Sequence, residues 1–284
     1  MSAPKTVGVL GGGRMGAGIA HAFLLAGSQV TVIERDTASA DAAAERVGDG
    51  IRRSAERDAA LDIAEVAARF SAGTDVATFG GADLVIEAVP EDRGLKENAL
   101  TRVDAVLGDS AVLASNTSSI SIDDLAAGRR DPSRFLGLHF FNPVPASALV
   151  EIVRGSATEA AVVDAARSWV DALGKTPILV QDSPGFASSR LGVLLGLEAI
   201  RMLEEGVASA SDIDAAMTLG YRHPVGPLRT TDLVGLDVRL GIAEELAREL
   251  GERFQPPALL RRMVADGHLG RKSGRGFYDW NEEN

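Results

Sequence analysis

The sequence predicts an α/β protein whose N-terminal part is a mainly parallel sheet covered by helices on both faces, followed by an all-α C-terminal domain. Three observations carry that expectation. Short β-branched and aliphatic runs alternate with helix-compatible stretches through the first 180 or so residues, which is the pattern of strands joined by crossover helices. A glycine-rich turn stands between the first run and the first helical stretch. After "DSPGF" at 182–186 the alternation stops and long helical patterns take over.

In chain order, Thr6–Leu10 is the first strand, "GGGRMG" the turn, and "AGIAHAFLLAG" a helix that ends at Gly27, where a C-terminal glycine belongs. Gln29–Ile33 reads as a second strand, followed by Glu34, and Thr37–Arg57 is Ala-rich, charged and helical in propensity. Further strand-like runs recur at Ala82–Val89, Ala111–Ser115, Arg134–Phe140, Leu149–Val153 and Pro177–Val180. Beyond the junction the helical patterns are Arg190–Glu205, Ser211–Leu219 with Ser211 as N-cap, Leu233–Leu250 and Pro257–Asp266. The expected domains are therefore 1–184 and 185–284, with no internal repeat.

Composition narrows the class. A chain of 284 residues with 45% hydrophobic content has room for two moderate cores. It contains no cysteine, which excludes disulfides, thiolate metal sites and a cysteine nucleophile, and which suits the cytoplasm. Met15–Ile33 lacks charged residues and nearly reaches bilayer length, but His21 and the Gly27-Ser28-Gln29 break divide it, so no membrane association is expected. A formal charge of −11 argues against a nucleic-acid partner, because a phosphate backbone would be repelled. A small anionic ligand would need its own local basic patch.

The turn spells Gly11-x-Gly13-x-x-Gly16 between a predicted strand and a predicted helix, and Glu34 closes the next strand. In this context the first glycine permits the tight turn, the second lets a pyrophosphate approach the backbone, and the third allows close helix packing. The helix N-terminus then receives the negative charge. The expectation is a Rossmann-like dinucleotide site with Glu34 on the adenine ribose hydroxyls. Its carboxylate would repel a 2′-phosphate and favours NAD, while Arg35 beside it leaves NADP open.

A second constellation follows. "ASNTSS" at 114–119 comes after a strand, which puts Asn116, Thr117 and Ser118 at the carboxyl ends of the strands, where open α/β sheets bind ligands. His139, in "GLHFFNPVP", ends the following strand, and Glu151 stands twelve residues later in "LVEIV". Each has a plain reading by itself: a hydrogen-bonded core histidine, an edge-strand carboxylate, loop-capping hydroxyls. A buried glutamate is costly without a partner, however, and an imidazole beside it supplies one. Such a pair fixes the imidazole tautomer and steadies an imidazolium, which suits a base acting on an alcohol.

With "GLHFFNPVP", "ASNTSS", "SDIDAAM", "HPVGPL", "DLVGLD" and "GRKSGRGFYDW" in place, the chain resembles the L-3-hydroxyacyl-CoA dehydrogenase family, in its short bacterial 3-hydroxybutyryl-CoA dehydrogenase form, over essentially its whole length. The resemblance implies a dinucleotide domain followed by a helical domain that makes most of a homodimer contact, with the acyl-CoA substrate held by both. It implies His139 as base, Glu151 as its partner and Ser118 as a contact to the substrate 3-oxygen. It also implies cofactor contacts from Glu34, Glu91, Lys96, Asn142 and Lys272. Coenzyme A contacts fall on Arg53 and Arg57, which are four apart and are expected to share a helical face with Arg46. Taken alone, Lys96 reads as a solvated helix charge, Lys272 as a loop charge, and the arginines as a face neutralised by Glu45 and Glu56.

One position departs from the family pattern. The junction reads "PGFASSR", so Ser189 stands where the family carries an asparagine implicated in catalysis. A serine hydroxyl donates one hydrogen bond where an amide offers two. The expected reaction is NAD-dependent, reversible oxidation of a (3S)-3-hydroxyacyl-CoA, with Ser118 and Ser189 on the oxygen. Three alternatives stay open at this point: a same-scaffold dehydrogenase of a free hydroxy acid of the L-gulonate 3-dehydrogenase type, a 3-hydroxyadipyl-CoA dehydrogenase, and a non-catalytic NAD-binding interaction or sensor protein. A terminal carboxylate on the substrate would want a cation, and Arg190, Arg222 and Arg229 are the candidates by sequence.

Overall fold

The computed structural model describes residues 2–281 and divides into two compact units between Ser183 and Pro184. The first unit is built on an eight-stranded sheet in the order β3-β2-β1-β4-β5-β6-β7-β8. Its strands are β1 (Thr6–Leu10), β2 (Gln29–Ile33), β3 (Phe70–Gly73), β4 (Leu84–Glu87), β5 (Val112–Ser115), β6 (Phe135–Phe140), β7 (Leu149–Arg154) and β8 (Thr176–Gln181). Its helices are α1 (Arg14–Leu25), α2 (Thr37–Ala55), α3 (Ile63–Ala68), α4 (Arg93–Asp104), α5 (Ile122–Ala126) and α6 (Ala160–Ala172). The central strands β4, β5 and β6 are buried at every position, as strands covered on both faces must be. Phe23 of α1 and Val47 of α2 pack with Val9, Val32 and Ile86 of the sheet in one continuous core.

The strand order reverses direction between β1 and β4, and the loops that leave the carboxyl ends there diverge to opposite faces. That divergence opens a crevice, the position where sheets of this kind bind ligands. All pairings are parallel except β6 with β7, which run antiparallel and set His139 directly opposite Glu151. A cross-strand pair in this register points both side chains to the same face.

Strand β3 had no counterpart in the sequence reading. "FSAG" is four residues long and neither alternates nor carries a β-branched residue; pairing with β2 makes it a strand, so tertiary context overrides a weak local preference.

The second unit is helical: α7 (Ser188–Glu204), α8 (Ala210–Ala215), α9 (Pro227–Val234), α10 (Leu236–Leu250) and α11 (Ala258–Ala265). Val193 and Leu197 of α7, Leu228 of α9, Leu246 of α10 and Leu260 of α11 form its core. Two expectations are corrected here. Ser209, not Ser211, caps α8: its Oγ accepts from the Asp212 amide at 3.2 Å, and Ser211 lies inside the first turn. The single helix expected over Leu233–Leu250 is two helices, because Gly235 adopts φ 106 and breaks the run.

The tail motif "GRKSGRGFYDW" is a latch. The buried Asp232 carboxylate accepts from the Phe277 amide at 2.9 Å, the Tyr278 amide at 3.0 Å and the Trp280 indole at 2.8 Å. A Cβ on Gly276 would stand 2.1 Å from Asp232 Oδ1, so only glycine lets the tail wrap this carboxylate. Burial nonetheless pushes the Asp232 carboxyl above the usual carboxylate range, against the pull of those three donors.

His21 of α1 is buried and its Nε2 lies 3.0 Å from the Ser54 hydroxyl on α2. Burial, and after it the charge of Lys175, lowers its pKa from the ordinary 6.5. A neutral ring is therefore favoured by folding. Its contribution is complete above the unfolded value and is lost as pH falls below about 6.5 towards the lower folded value. Melting temperatures of the wild type and His21→Gln compared between about pH 7.5 and 5 should show a shallower acid loss in the variant. Identical pH profiles would remove His21 from the acid sensitivity.

Candidate active site

The first unit carries a cleft of about 940 Å³ at the carboxyl ends of β1, β2, β4 and β5, lined by Gly11, Gly13, Glu34, Glu91, Lys96, Asn116 and Ser118 among others. Each glycine of the turn has a distinct physical requirement. Gly11 holds φ 94, where an L side chain is strained. A Cβ on Gly16 would stand 1.7 Å from the Gly11 carbonyl oxygen, so α1 packs against the turn only without one. A Cβ on Gly13 would meet nothing within 4 Å, which leaves the backbone open on the side where a ligand approaches.

Gly13 is also the N-cap of α1, with no side-chain cap and no acidic residue in the first turn. The uncapped amides and the positive end of the helix dipole are thus offered to an anion. Glu34 stands at the end of β2, its Oε1 accepting from the Gly12 amide at 2.7 Å. Open backbone, uncapped helix start and an acid at the second strand fit NAD: the turn would take the pyrophosphate and Glu34 the ribose hydroxyls. Arg35 turns outward and pairs with Asp36 at 3.0 Å, its side chain 84% exposed.

Beneath this cleft lies a charge cluster of which the sequence reading named only Glu91 and Lys96. Lys96 is 1% exposed, so it is no solvated helix charge. Its Nζ sits 2.8 Å from Glu87 Oε1, 3.2 Å from Glu91 Oε2 and 3.1 Å from the Val89 carbonyl. Glu87, fully buried at the end of β4, also accepts from the Ser115 hydroxyl at 2.6 Å and the Val89 amide at 2.7 Å. Glu87 and Ser115 were missed. A glutamate ending an otherwise aliphatic strand, nine residues before a lysine, was the signal available.

Glu91 is held in turn. Its Oε1 accepts from the Thr117 hydroxyl at 2.6 Å, the Ser118 amide at 2.8 Å and the Ser119 amide at 3.1 Å. Burial works to raise this carboxyl, but the Lys96 charge, the Thr117 hydroxyl and the Ser118 amide outweigh it and hold it below the usual carboxylate range. One carboxylate thereby fixes the backbone of residues 117–119. Asn116 and Thr117 are spent inward, since Asn116 Oδ1 accepts from the Phe140 amide at 2.8 Å and Thr117 is fully buried. Ser118 remains half-buried at the cleft wall.

His139 Nδ1 lies 2.7 Å from Glu151 Oε2, with the ring 5% exposed and the carboxylate sealed from solvent. The Phe141 ring leans against the imidazole with centroids 4.5 Å apart. With Nδ1–H donating to Glu151, the ring's basic lone pair is on Nε2. The histidine is thus oriented, backed by a carboxylate, and placed on the strand next to β5, from which the Ser118 loop departs.

Other expected positions fall as follows. Asn142 stands in the turn after β6 and forms a cis peptide bond with Pro143. Lys272, in the helical unit, pairs with Asp237. Ser189 is in the first turn of α7. The three-arginine face is corrected: α2 ends at Ala55, so Arg57 lies in the turn beyond it, and Arg46 Nη1 donates inward to the Gly12 carbonyl at 3.2 Å. Arg53 stays outward, 3.9 Å from Asp49. Arg229 stacks over the Trp280 ring at 4.6 Å.

Comparison with known proteins follows this geometry. Residues 6–183 match the NAD binding domain of 3-hydroxyacyl-CoA dehydrogenase, and residues 185–280 match its C-terminal domain. The chain is 43% identical over 287 residues to a 3-hydroxybutyryl-CoA dehydrogenase of Mycobacterium tuberculosis, covering 97% of this chain and 98% of that one. It is 40% identical over 279 residues to a 3-hydroxybutyryl-CoA dehydrogenase of Bradyrhizobium diazoefficiens, covering 97% and 95%. The crystal structure of (S)-3-hydroxybutyryl-CoA dehydrogenase from Ralstonia eutropha superposes with a TM-score of 0.93 at 40% identity, covering 98% of this chain and 99% of that one.

The buried cluster makes a measurable demand. Lys96→Met leaves the Glu87 carboxylate without its cation and should cost about 3–5 kcal/mol in urea denaturation. Adding Glu87→Gln to that variant should recover much of the loss, because no lone charge then stays buried. A double variant no more stable than the single one would contradict the pairing.

Proposed function

The chain belongs to the 3-hydroxyacyl-CoA dehydrogenase family, and from that premise we propose that it catalyses the reversible NAD-dependent oxidation of a (3S)-3-hydroxyacyl-CoA, 3-hydroxybutyryl-CoA or a close relative, with His139 as the base. The observation that carries the mechanism is the 2.7 Å pair between His139 and Glu151, on the strand beside the one whose loop brings Ser118 to the dinucleotide cleft. Held at the glycine turn and Glu34, NAD would supply the hydride acceptor for C3. His139 Nε2 takes the proton of the C3 hydroxyl as that bond breaks. Glu151 holds the ring in the donating tautomer at Nδ1 and steadies the imidazolium that forms. Ser118 and Ser189 hydrogen-bond the 3-oxygen, while Glu91 keeps the Ser118 backbone from shifting. In the reverse direction His139 returns the proton to the carbonyl oxygen.

Residues 1–184 serve as the NAD-binding domain, with Glu34, Glu91, Lys96 and Asn142, and with Lys272 from the helical part, as cofactor contacts. Residues 185–284 serve as substrate wall and dimer contact. Leu191, 69% exposed, Leu219, 82% exposed, and Tyr221, 76% exposed, support a homodimer through the helical unit, since such residues are normally covered. Arg53 and Arg57 meet the coenzyme A phosphates outside the cleft, and Arg57 does so from the turn after α2. A net charge of −11 speaks against a nucleic-acid partner, and a chain without cysteine suits the cytoplasm. Among the described residues no helix is long and apolar enough to cross a membrane.

Two measurements test this reading. His139→Gln should keep NADH affinity, read by fluorescence, within a few-fold, and cut kcat by about 10²–10⁴. Turnover like the wild type's would take His139 out of the mechanism. Reversing both arginines, Arg53→Glu with Arg57→Glu, should raise KM for a CoA thioester by about 10-fold or more and leave a free hydroxy acid nearly unaffected. Equal effects on the two would favour the free-acid reading.

A further inference from the structure

The turn between β6 and β7 is held from outside by a cation that the mechanism above does not use. Residues 141–148 leave β6 just beyond His139 and return to β7, which carries Glu151. Of these eight residues Val144 alone is buried, and it is seated against α1, where a Cβ on Gly18 would stand 2.9 Å from the Val144 Cβ. Within the turn the Ala146 and Ser147 amides both donate to the Pro143 carbonyl, each at 3.0 Å.

Lys175 supplies the outer hold. Its Nζ donates to the Val144 carbonyl at 2.6 Å and to the Ser147 carbonyl at 2.5 Å, and the Thr176 amide beside it donates to the Ala148 carbonyl at 2.6 Å. Among the described residues no carboxylate forms an ion pair with this ammonium, so the two carbonyls receive its charge-assisted bonds. Burial pulls it below the usual lysine pKa, the cost of placing a charge here in place of a neutral chain. The backbone beneath it is fixed as well. Helix α6 ends at Gly174 with φ 69, the Gly174 amide donating to the Asp171 carbonyl at 2.9 Å and the Lys175 amide to the Val170 carbonyl at 3.2 Å.

Strands β6 and β7 pair with each other without this clamp, so what it adds is the position of the turn itself. The turn has two polar side chains. Ser147 is spent locally, its hydroxyl accepting from the Leu149 amide at 3.3 Å, while Asn142 is exposed and its side chain bonds to none of the described residues. In the order β2-β1-β4-β5-β6, Asn142 follows a strand four places from the one that ends at Glu34. At about 4.8 Å per place that is about 19 Å, so a dinucleotide with its adenine ribose at Glu34 reaches Asn142 with its nicotinamide end.

We infer that Lys175 is a positioning residue of the dehydrogenase reaction: through the Val144 and Ser147 carbonyls it fixes the turn that presents Asn142 to the nicotinamide end of NAD. The inference rests on the proposed cofactor contact of Asn142. Without the ammonium the two carbonyls turn to water, the turn gains freedom, and the nicotinamide loses its placement for the hydride step. The adenine end, held at the glycine turn and Glu34, does not feel the change.

The test measures dissociation constants for NADH and for ADP-ribose, which lacks the nicotinamide, and kcat with (3S)-3-hydroxybutyryl-CoA. Wild type, Lys175→Met, Lys175→Arg and Asn142→Ala are compared. Lys175→Met should weaken NADH by about 2- to 10-fold, the range of one hydrogen bond, and lower kcat by about 10- to 100-fold. ADP-ribose should stay within about twofold. Lys175→Arg, which keeps the donors on a larger head, should fall between the wild type and Lys175→Met. Unchanged NADH affinity and kcat in Lys175→Met overturn the inference, and so does an equal loss of NADH and ADP-ribose, the result of a role in stability alone. If Lys175→Met fails to fold, Lys175→Arg decides by the same two outcomes. An NADH loss in Asn142→Ala that the Lys175 variants do not share overturns the inference alone. Unchanged NADH affinity in Asn142→Ala would instead overturn the cofactor contact on which it rests.

Discussion

The ammonium of Lys96, sealed against Glu87 beneath the ends of β4 and β5, is the interaction on which the rest of the first unit depends. From one point it reaches the strand through Glu87, the β4–α4 loop through the Val89 carbonyl, and the 117–119 loop through Glu91. A charge taken out of water has to be met on all sides, and meeting it draws these segments into one arrangement. The dinucleotide cleft therefore has a floor set by electrostatics. Ser118 inherits its position from that floor.

The His139–Glu151 pair is set differently, by sheet register. Because β7 runs antiparallel to β6, Glu151 comes to lie directly opposite His139. A slip of one residue would carry the carboxylate to the other face and leave the imidazole without its anchor. The one antiparallel pairing in the sheet is thus the one that brings His139 and Glu151 together. The two devices are coupled through β5, whose Ser115 hydroxyl donates to Glu87 and which pairs with β6.

In the helical unit the main economy is in backbone space. Gly276 lets the tail wrap the Asp232 carboxylate, and Gly192 and Gly196 let the Arg239 guanidinium lie against α7. Two of its buried ionisable groups are perturbed by burial, Asp232 upward and Arg239 downward. They differ in satisfaction: Asp232 accepts three hydrogen bonds from the tail, while Arg239 Nε meets no acceptor among the described residues. The three donors to Asp232 tie the tail to the helices, which the Arg239 side chain does not do.

The sequence alone determined the fold class and the glycine turn, because alternating apolar runs and a Gly-x-Gly-x-x-Gly between strand and helix leave few backbone solutions. It also brought out His139, Glu151 and Glu34, since a titratable group in an apolar run is conspicuous wherever it occurs. Tertiary structure decided what pairing decides. "FSAG" became a strand only through β2, Gly235 split one helical pattern in two, and α2 ended before Arg57 could share its face. Taken alone, Lys96 read as solvated because helical periodicity says nothing about what covers a helix, and Glu87 passed unnoticed because its partner lies across a loop. Arg239 was invisible for the same reason. Whether a buried charge is satisfied depends on which side chains the fold brings near it, and no local pattern in the sequence records that distance.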